Sequence, residues 1–504
     1  MIRPHEPLKL PDTKGGIALL IALFFILVGA RAALIFHAGN PTPFIDEWDG
    51  EAAYLLQPYL QGRLTVGDLL APFNEHRVLF TRLLVLSVFH ISGYWDVILQ
   101  MIVNAIVGSA TVVAIGYALS RVLDSGWAAA AMIACVAINA IPYGYDNVLT
   151  GFNTHFYLLN AFSLGSLTLL AASNAWSPRW MAGVLAAVAA YLCMASATLT
   201  PAAAAAGHLL QAACGRRRGL PEWLGMAALA AIAVAMLALV PHVPASDYLK
   251  ARSVGEFLSA SAQLASWPAH DALGLILFLP SALFLARTLA ERPKLGDPRW
   301  LNLAALFWVL GQIVTLAIGR GQWPNQSRYA DVLLIGATVN LVSAFWLYRS
   351  AAIAGTRSAP WRPVVLAAWL GFFTFSFVHP QRHLFDLIDE RRDVALAEEK
   401  NVQSYLATGD ASFLAGPPAL QIPYFESVRL KQMLDTAEIR SMLSPELLWR
   451  DPPRLWVEAF KRVFLRMGFP CLGLGALILA AVVVRAIRGG PARLVRNRPM
   501  LSRG

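Results

Sequence analysis

Cysteine and charge are what this chain has least of. Four cysteines occur in 504 residues. Cys135, Cys193 and Cys471 sit inside apolar runs and Cys214 borders a basic loop, so none has metal-site spacing or an evident disulfide partner. Charged residues make up 14% of the chain against 57% hydrophobic residues, and the mean hydropathy is +0.54. That balance excludes a soluble enzyme of this length and leaves an all-α polytopic membrane protein. There is no Walker A sequence and no glycine-rich dinucleotide fingerprint opening a helix after a strand, which argues against nucleotide hydrolysis. No internal repeat of the kind that marks many transporters is visible.

What the chain has in plenty is apolar runs of membrane length. About twenty apolar residues cross a hydrocarbon core, and on that criterion about twelve spans are expected. They fall near 17–37, 96–120, 126–142, 153–173, 179–198, 199–214, 223–241, 271–290, 300–318, 331–349, 361–378 and 464–486. The fifth and sixth are separated only by Thr198-Leu199-Thr200-Pro201, where a tight hairpin at Pro201 is expected. The first run follows basic residues as a signal peptide does. Phe36-His37-Ala38-Gly39-Asn40 is a poor cleavage site, however, so a retained helix is expected.

The ten surplus positive charges lie in short loops between spans, which points to membrane topology and not to nucleic acid. With the N-terminus inside, the cytoplasmic segments receive Arg3, Lys9, Lys14, Arg121, Arg179, Arg216 to Arg218, Arg287, Arg292, Lys294, Arg299, Arg349, Arg357, Arg362 and the tail from Arg485. About half of the cations but only about a fifth of the acids fall there. Both termini are therefore expected in the cytoplasm. The chain divides into a transmembrane domain over 1–378 whose first outer loop (38–95) carries the site, an extracytoplasmic helical segment over 379–462, and a last span with a basic tail over 463–504. Short interfacial helices are expected in the first outer loop, at Glu51 to Leu60 and Val78 to His90. The remaining outer loops are Tyr143 to Phe152, His242 to His270 and Gly319 to Tyr329.

Three groups of residues can carry chemistry. Phe44-Ile45-Asp46-Glu47-Trp48-Asp49-Gly50-Glu51 places four carboxylates just after the first span, flanked by residues that prefer the interface to water. A partly desolvated carboxylate there is a better proton acceptor than one in water, and the alternative is a solvated acidic loop. Hard oxygen ligands also suit a divalent metal, although nothing in the pattern requires a metal or any other cofactor. Glu75, His76 and Arg77, with Arg82 beyond, open an interfacial helix and can either bind a lipid head group or simply anchor the segment. Arg320, Arg328 and Tyr329 lie in a glycine- and proline-containing outer loop, against the positive-inside bias. A guanidinium fork matches a phosphate, and the competing use is a salt bridge to an outer carboxylate such as Asp331. For Asn153, His155 and Asn160, buried helix–helix hydrogen bonding is the expected role.

A first span followed at once by the pair Asp46-Glu47, then a long outer loop, many further spans and an outer C-terminal portion, resembles the GT-C class of membrane glycosyltransferases. That class includes protein O-mannosyltransferases and aminoarabinose transferases. Asn74-Glu75-His76-Arg77-Val78-Leu79-Phe80 occupies the position of its interfacial helix before the second span. The resemblance covers roughly the first 200 residues as an arrangement. The proline-rich segment of the aminoarabinose and mannosyl groups is missing at residues 74–80. The resemblance implies a polyprenyl-phosphate-linked sugar donor and transfer to an extracytoplasmic hydroxyl acceptor with inversion. It implies Asp46 as general base, with Glu47 and Asp49 beside it; the alanine-rich, arginine-heavy composition points to a GC-rich bacterium, and hence to an inner membrane with the site in the periplasm. Membrane lipids are then the other partner. The rival expectation is a lipid or solute transporter or flippase, which ionisable residues inside the spans would favour.

Overall fold

The computed structural model describes residues 14–269, 272–353 and 361–489. Arg3, Lys9, Arg357 and the tail beyond residue 489, used above for orientation, lie outside the described residues. The chain is an all-helical polytopic membrane protein. The one β pairing among the described residues is an isolated bridge between Phe73 and His76.

The principal helices are α1 (Lys14–Ala38), α2 (Leu79–Ser92), α3 (Val97–Ser120), α4 (Ser125–Ala140), α5 (Thr154–Leu170), α6 (Pro178–Tyr191), α7 (Leu199–Ala213), α8 (Leu220–Ala238) and α9 (Leu279–Glu291). They continue with α10 (Arg299–Gly319), α11 (Ala330–Ile353), α12 (Trp361–Val378), α13 (Gln381–Thr408), α14 (Ser427–Asp435), α15 (Leu455–Arg466) and α16 (Gly468–Gly489). Among the described residues, eight helical runs are long and apolar enough to cross a membrane: those of α1, α3, α8, α9 to α12 and α16. The start of α3 is set by an ordinary cap: Asp96 accepts the Leu99 N–H at 2.9 Å and so satisfies one of the free donors of the helix.

The other four expected spans are shorter than the sequence suggested. Helices α4 to α7 run 14 to 17 residues, or about 21–26 Å, against a hydrocarbon core of roughly 30 Å. The break between the fifth and sixth also lies elsewhere. Helix α6 stops at Tyr191, a 3-10 turn follows at Ala195–Thr198, and Pro201 sits in the first turn of α7, where a missing N–H is harmless. The apolar letters of 192–197 read as helix, yet the irregular backbone is stable because the entrance to α2 satisfies it. The Leu192 carbonyl accepts from Leu79 N at 2.9 Å, and Ala195 N donates to His76 Nδ1 at 3.4 Å.

Helices α1 and α16 cross in direct backbone contact. A Cβ on Gly29 would lie 2.6 Å from the Gly468 carbonyl oxygen, and one on Gly468 would lie 2.7 Å from Ala33 N. Small residues let two helices approach where apolar attraction between them is weak, as it is in lipid.

The five expected outer segments meet at one end of the bundle. His37 pairs with Asp389 at 2.7 Å, Ile45 N donates to the Pro423 carbonyl at 2.8 Å, Asp146 N to Ser327 Oγ at 3.1 Å, and Gln322 N to the Leu249 carbonyl at 3.1 Å. The stretch 48–56 is a π-helix, a form that recurs at functional sites. Its Trp48, Ala52, Leu55 and Leu56 do not lie on a membrane surface. They are buried in one apolar core with Val402, Leu430, Met433 and Leu447 from the segment after α12. The first outer loop and the C-terminal segment are thus packed as one body.

Candidate functional site

The bend that carries the carboxylates is built around Glu47. Its Oε2 accepts the Phe44 N–H at 2.6 Å and its Oε1 the Phe152 N–H at 3.2 Å, tying the first outer loop to the second. Only 1% of the residue is exposed. Trp48 Nε1 donates to the Pro43 carbonyl at 2.8 Å and closes the same bend. The closure holds Ile45 at φ 45°, a left-handed conformation that a β-branched residue adopts at a cost of about 1–3 kcal/mol. Burial, and then Glu51 nearby, pushes the Glu47 carboxyl well above the usual range.

The four acids end in four different states. Glu51 is 1% exposed and accepts from Trp95 Nε1 at 2.6 Å and Gln100 Nε2 at 3.0 Å, and burial pushes its carboxyl up to about 7. Asp49 accepts from Arg429 at 2.9 Å and from the Tyr424 hydroxyl, both in the C-terminal segment. Glu47 is engaged as above. Asp46 alone is half-buried with a carboxylate that accepts no hydrogen bond among the described residues. Burial raises it above the ordinary carboxylate range and Asp49 and Glu75 push the same way, while Arg328 and Arg320 pull it back. It is accordingly more basic than a free aspartate.

The arginine loop and the start of α2 surround this carboxylate. Arg320 is committed: its guanidinium lies 3.4 Å from Glu75 and donates to the Gly319 carbonyl at 2.8 Å, beside buried Tyr329. Arg328 is not committed. It makes no ion pair and no side-chain hydrogen bond among the described residues, yet it acts electrostatically on both Asp46 and Asp146. The Asp331 carboxylate considered as its partner is instead 3.8 Å from Arg31 of α1. His76 is held neutral, its pKa lowered by burial to about 4, with Nδ1 accepting from Ala195 so that Nε2 carries the proton. Arg77 points away, bracing the Leu70 and Leu239 carbonyls at 3.0 and 3.3 Å.

The structure adds residues that the sequence did not single out. Asp146, in the second outer loop, faces Arg328 and Arg391, and burial raises its carboxyl. Arg391 comes from α13, packs over the Phe44 ring at 3.8 Å and pairs with Glu398 at 3.1 Å. Asp146 is the one acid in the short second outer loop, which was the available signal for it, whereas nothing local marked Arg391 among the charges of α13. Asn153 and Asn160 make hydrogen bonds to the Asp146 and Asp331 carbonyls at 3.2 and 3.4 Å, and His155 Nδ1 lies 3.0 Å from the Phe152 carbonyl. Among the described residues no three His, Cys, Asp or Glu side chains gather as a metal site. The constellation is a free carboxylate beside a free guanidinium, with a second carboxylate, Asp146, also within the field of the cation. It can take a proton from a hydroxyl at one point and hold a phosphate at the other.

No family model matches the chain, and no curated protein matches it. Among solved structures it is similar to the archaeal oligosaccharyltransferase AglB from Archaeoglobus fulgidus, determined in complex with an inhibitory peptide and a dolichol-phosphate. The TM-score is 0.43 and the identity 13%, and the match covers 80% of this chain and 59% of that one.

Proposed function

We propose that the protein is a membrane glycosyltransferase that moves a sugar from a polyprenyl-phosphate carrier to an extracytoplasmic hydroxyl acceptor. The observation that carries this reading is the pairing of an uncommitted, desolvated Asp46 with an uncommitted Arg328 at the end of an apolar bundle. Asp46 removes the proton of the acceptor hydroxyl as its oxygen bonds to the anomeric carbon. The bond from that carbon to the phosphate oxygen breaks on the opposite face, and the departing phosphate charge is held by Arg328, with Arg320 behind it. A single displacement inverts the anomeric centre. Glu47 shapes the bend and Asp49 fixes it to the C-terminal segment. No metal is required for this step, and Glu75, His76 and Tyr329 complete the donor side through Arg320. The basic loops gather at the other end of the bundle, which supports a cytoplasmic placement for them and a periplasmic site in a bacterial inner membrane.

The buried Arg31 and Asp331 pair is the one observation that favours transport without chemistry. The test compares the envelope lipids and polysaccharides of a strain lacking the protein with those of the same strain carrying Asp46→Asn. Loss of the same sugar in both supports the transferase. A restored envelope with Asp46→Asn means that no base is needed and the transporter reading replaces it.

A further inference from the structure

Arg31 is a charged side chain in the last third of the apolar helix α1, near its outer end, and the catalytic reading gives it no role. It and Asp331 are buried to 7% and 8% exposure, 3.8 Å apart. Space for it is kept open by Gly108 of α3, where a Cβ would fall 2.2 Å from Nη1, and its guanidinium lies over the Tyr157 ring at 5.1 Å. Arg31 Nη1, the Tyr157 hydroxyl and Asn160 Oδ1 have no hydrogen-bond partner among the described residues. Two small cavities flank Asp331, one lined by Tyr157, Asn160 and Thr338 and the other by Arg31, Asn139 and Gly144. Each has about 20 Å³ open to the centre of a water, above the roughly 10–15 Å³ that one water needs. A charged pair kept in such a place, at this cost, is held for a reason other than helix association.

The other oxygen of Asp331 shows where the pair acts. Its Oδ2 accepts one N–H of the Asn147 amide at 2.7 Å, and the same amide nitrogen donates to the Arg328 carbonyl at 2.8 Å. Next to Asn147 in the chain, Asp146 has its N–H on Ser327 Oγ at 3.1 Å. The second and fourth outer loops are therefore stitched together at the point where Asp146 and Arg328 face one another. The stitch is anchored through Asp331 to a cation on the first membrane helix.

We propose that Arg31 is a positioning residue for the site, acting through Asp331 and Asn147 to fix the separation of Asp146 and Arg328 and so the geometry of the phosphate seat. Arg31 touches no reacting atom itself. This inference rests on the reading of Arg328 as the phosphate-binding group, and the experiment separates the two. The full chain in lipid nanodiscs is titrated with undecaprenyl phosphate, and its thermal stability is measured in parallel. Arg31→Met and Asn147→Ala are each expected to weaken binding of the probe about tenfold. Arg31→Lys recovers most of that loss because it returns the charge. The double variant Arg31→Met with Asn147→Ala is no worse than either single, because both break one chain of contacts. Gly108→Ala, which displaces Arg31 from the side, gives the same weakening by a different route.

Binding as in the parent by the folded fraction of Arg31→Met and of Asn147→Ala, with only stability reduced, overturns the inference while Arg328→Ala still weakens binding about tenfold or more. Additive losses in the double variant overturn it as well. If Arg328→Ala binds the probe as the parent does, the phosphate reading itself fails and the positioning role falls with it.

Discussion

Two clusters of charge at opposite ends of the bundle differ in how completely their groups are used. At the C-terminal end of α5, Arg217 is 2% exposed and every part of its guanidinium is engaged. It donates to Gln211, to Glu222 at 2.5 Å, and to the Leu170 and Ser173 carbonyls at 3.3 and 2.8 Å. The last carbonyls of a helix have no partners of their own, so this arginine acts as a cap and a staple. At the N-terminal end of α5, Arg328 acts on two carboxylates, Asp46 and Asp146, and among the described residues is bonded to neither. A saturated cluster builds structure. An unsaturated one, held open by saturated neighbours such as Glu47, Asp49 and Arg320, leaves capacity for a ligand.

The largest expected effect tests the saturated side. Arg217→Ala strands a half-buried carboxylate and two carbonyls and should remove about 3 kcal/mol of stability, while the protein that remains folded binds undecaprenyl phosphate as before. A loss of binding without a loss of stability would erase the contrast between the two ends. Asp46→Asn comes next: turnover should fall by about a hundredfold or more, roughly 2.7 kcal/mol in the barrier, with melting temperature and lipid binding unchanged. Asp49→Asn, whose parent side chain is already committed to Arg429 and Tyr424, should reduce turnover far less. The reverse ranking would move the base to Asp49.

Arg328→Ala should weaken donor binding about tenfold or more, the worth of a charge-assisted contact to a phosphate, roughly 1.5–3 kcal/mol. Arg252→Ala, in an exposed outer position, is the control, and equal effects would remove the phosphate seat. The smallest effect concerns Glu51. Its folded pKa is raised from 4.5 to about 7, so the folded state holds the extra proton between those values. The stabilisation is complete below about 4.5 and is lost as pH rises through about 7. The parent should therefore lose on the order of 1–2 kcal/mol between pH 5 and 8. Glu51→Gln, neutral throughout and still able to accept from Trp95, should show a flatter profile over that range. An unchanged slope would mean that Glu51 does not titrate there.

How much of this was legible in the sequence follows from where each interaction partner lies along the chain. The long spans could be read because twenty apolar residues in a row have few other uses. The 14-residue α6 could not, since the apolar letters of 192–197 do not reveal that His76 and Leu79 supply the hydrogen bonds that let the backbone leave the helix. The acidic bend was visible from position and composition. Which of its four carboxylates is free was not, because Asp46, Glu47, Asp49 and Glu51 share one local sequence and differ only through distant partners. Phe152 engages Glu47 from 105 residues away, and Arg429 engages Asp49 from 380. Asp146 and Arg391 join the site by the same long-range route, through bonds that no local pattern encodes.

The tie between Asp49 and the C-terminal segment also sets a timetable. Tyr424 leaves the ribosome 375 residues after the aspartate it will hold, which at ordinary elongation rates is roughly 20 to 75 s later. Until then the bend that presents Asp46 lacks its Arg429 contact, its Pro423 acceptor and half of the apolar core beneath it. A nascent chain with most of its membrane helices already inserted therefore has the carboxylates but not their arrangement. The site is completed late in synthesis, and a product cut short before residue 424 would sit in the membrane without it.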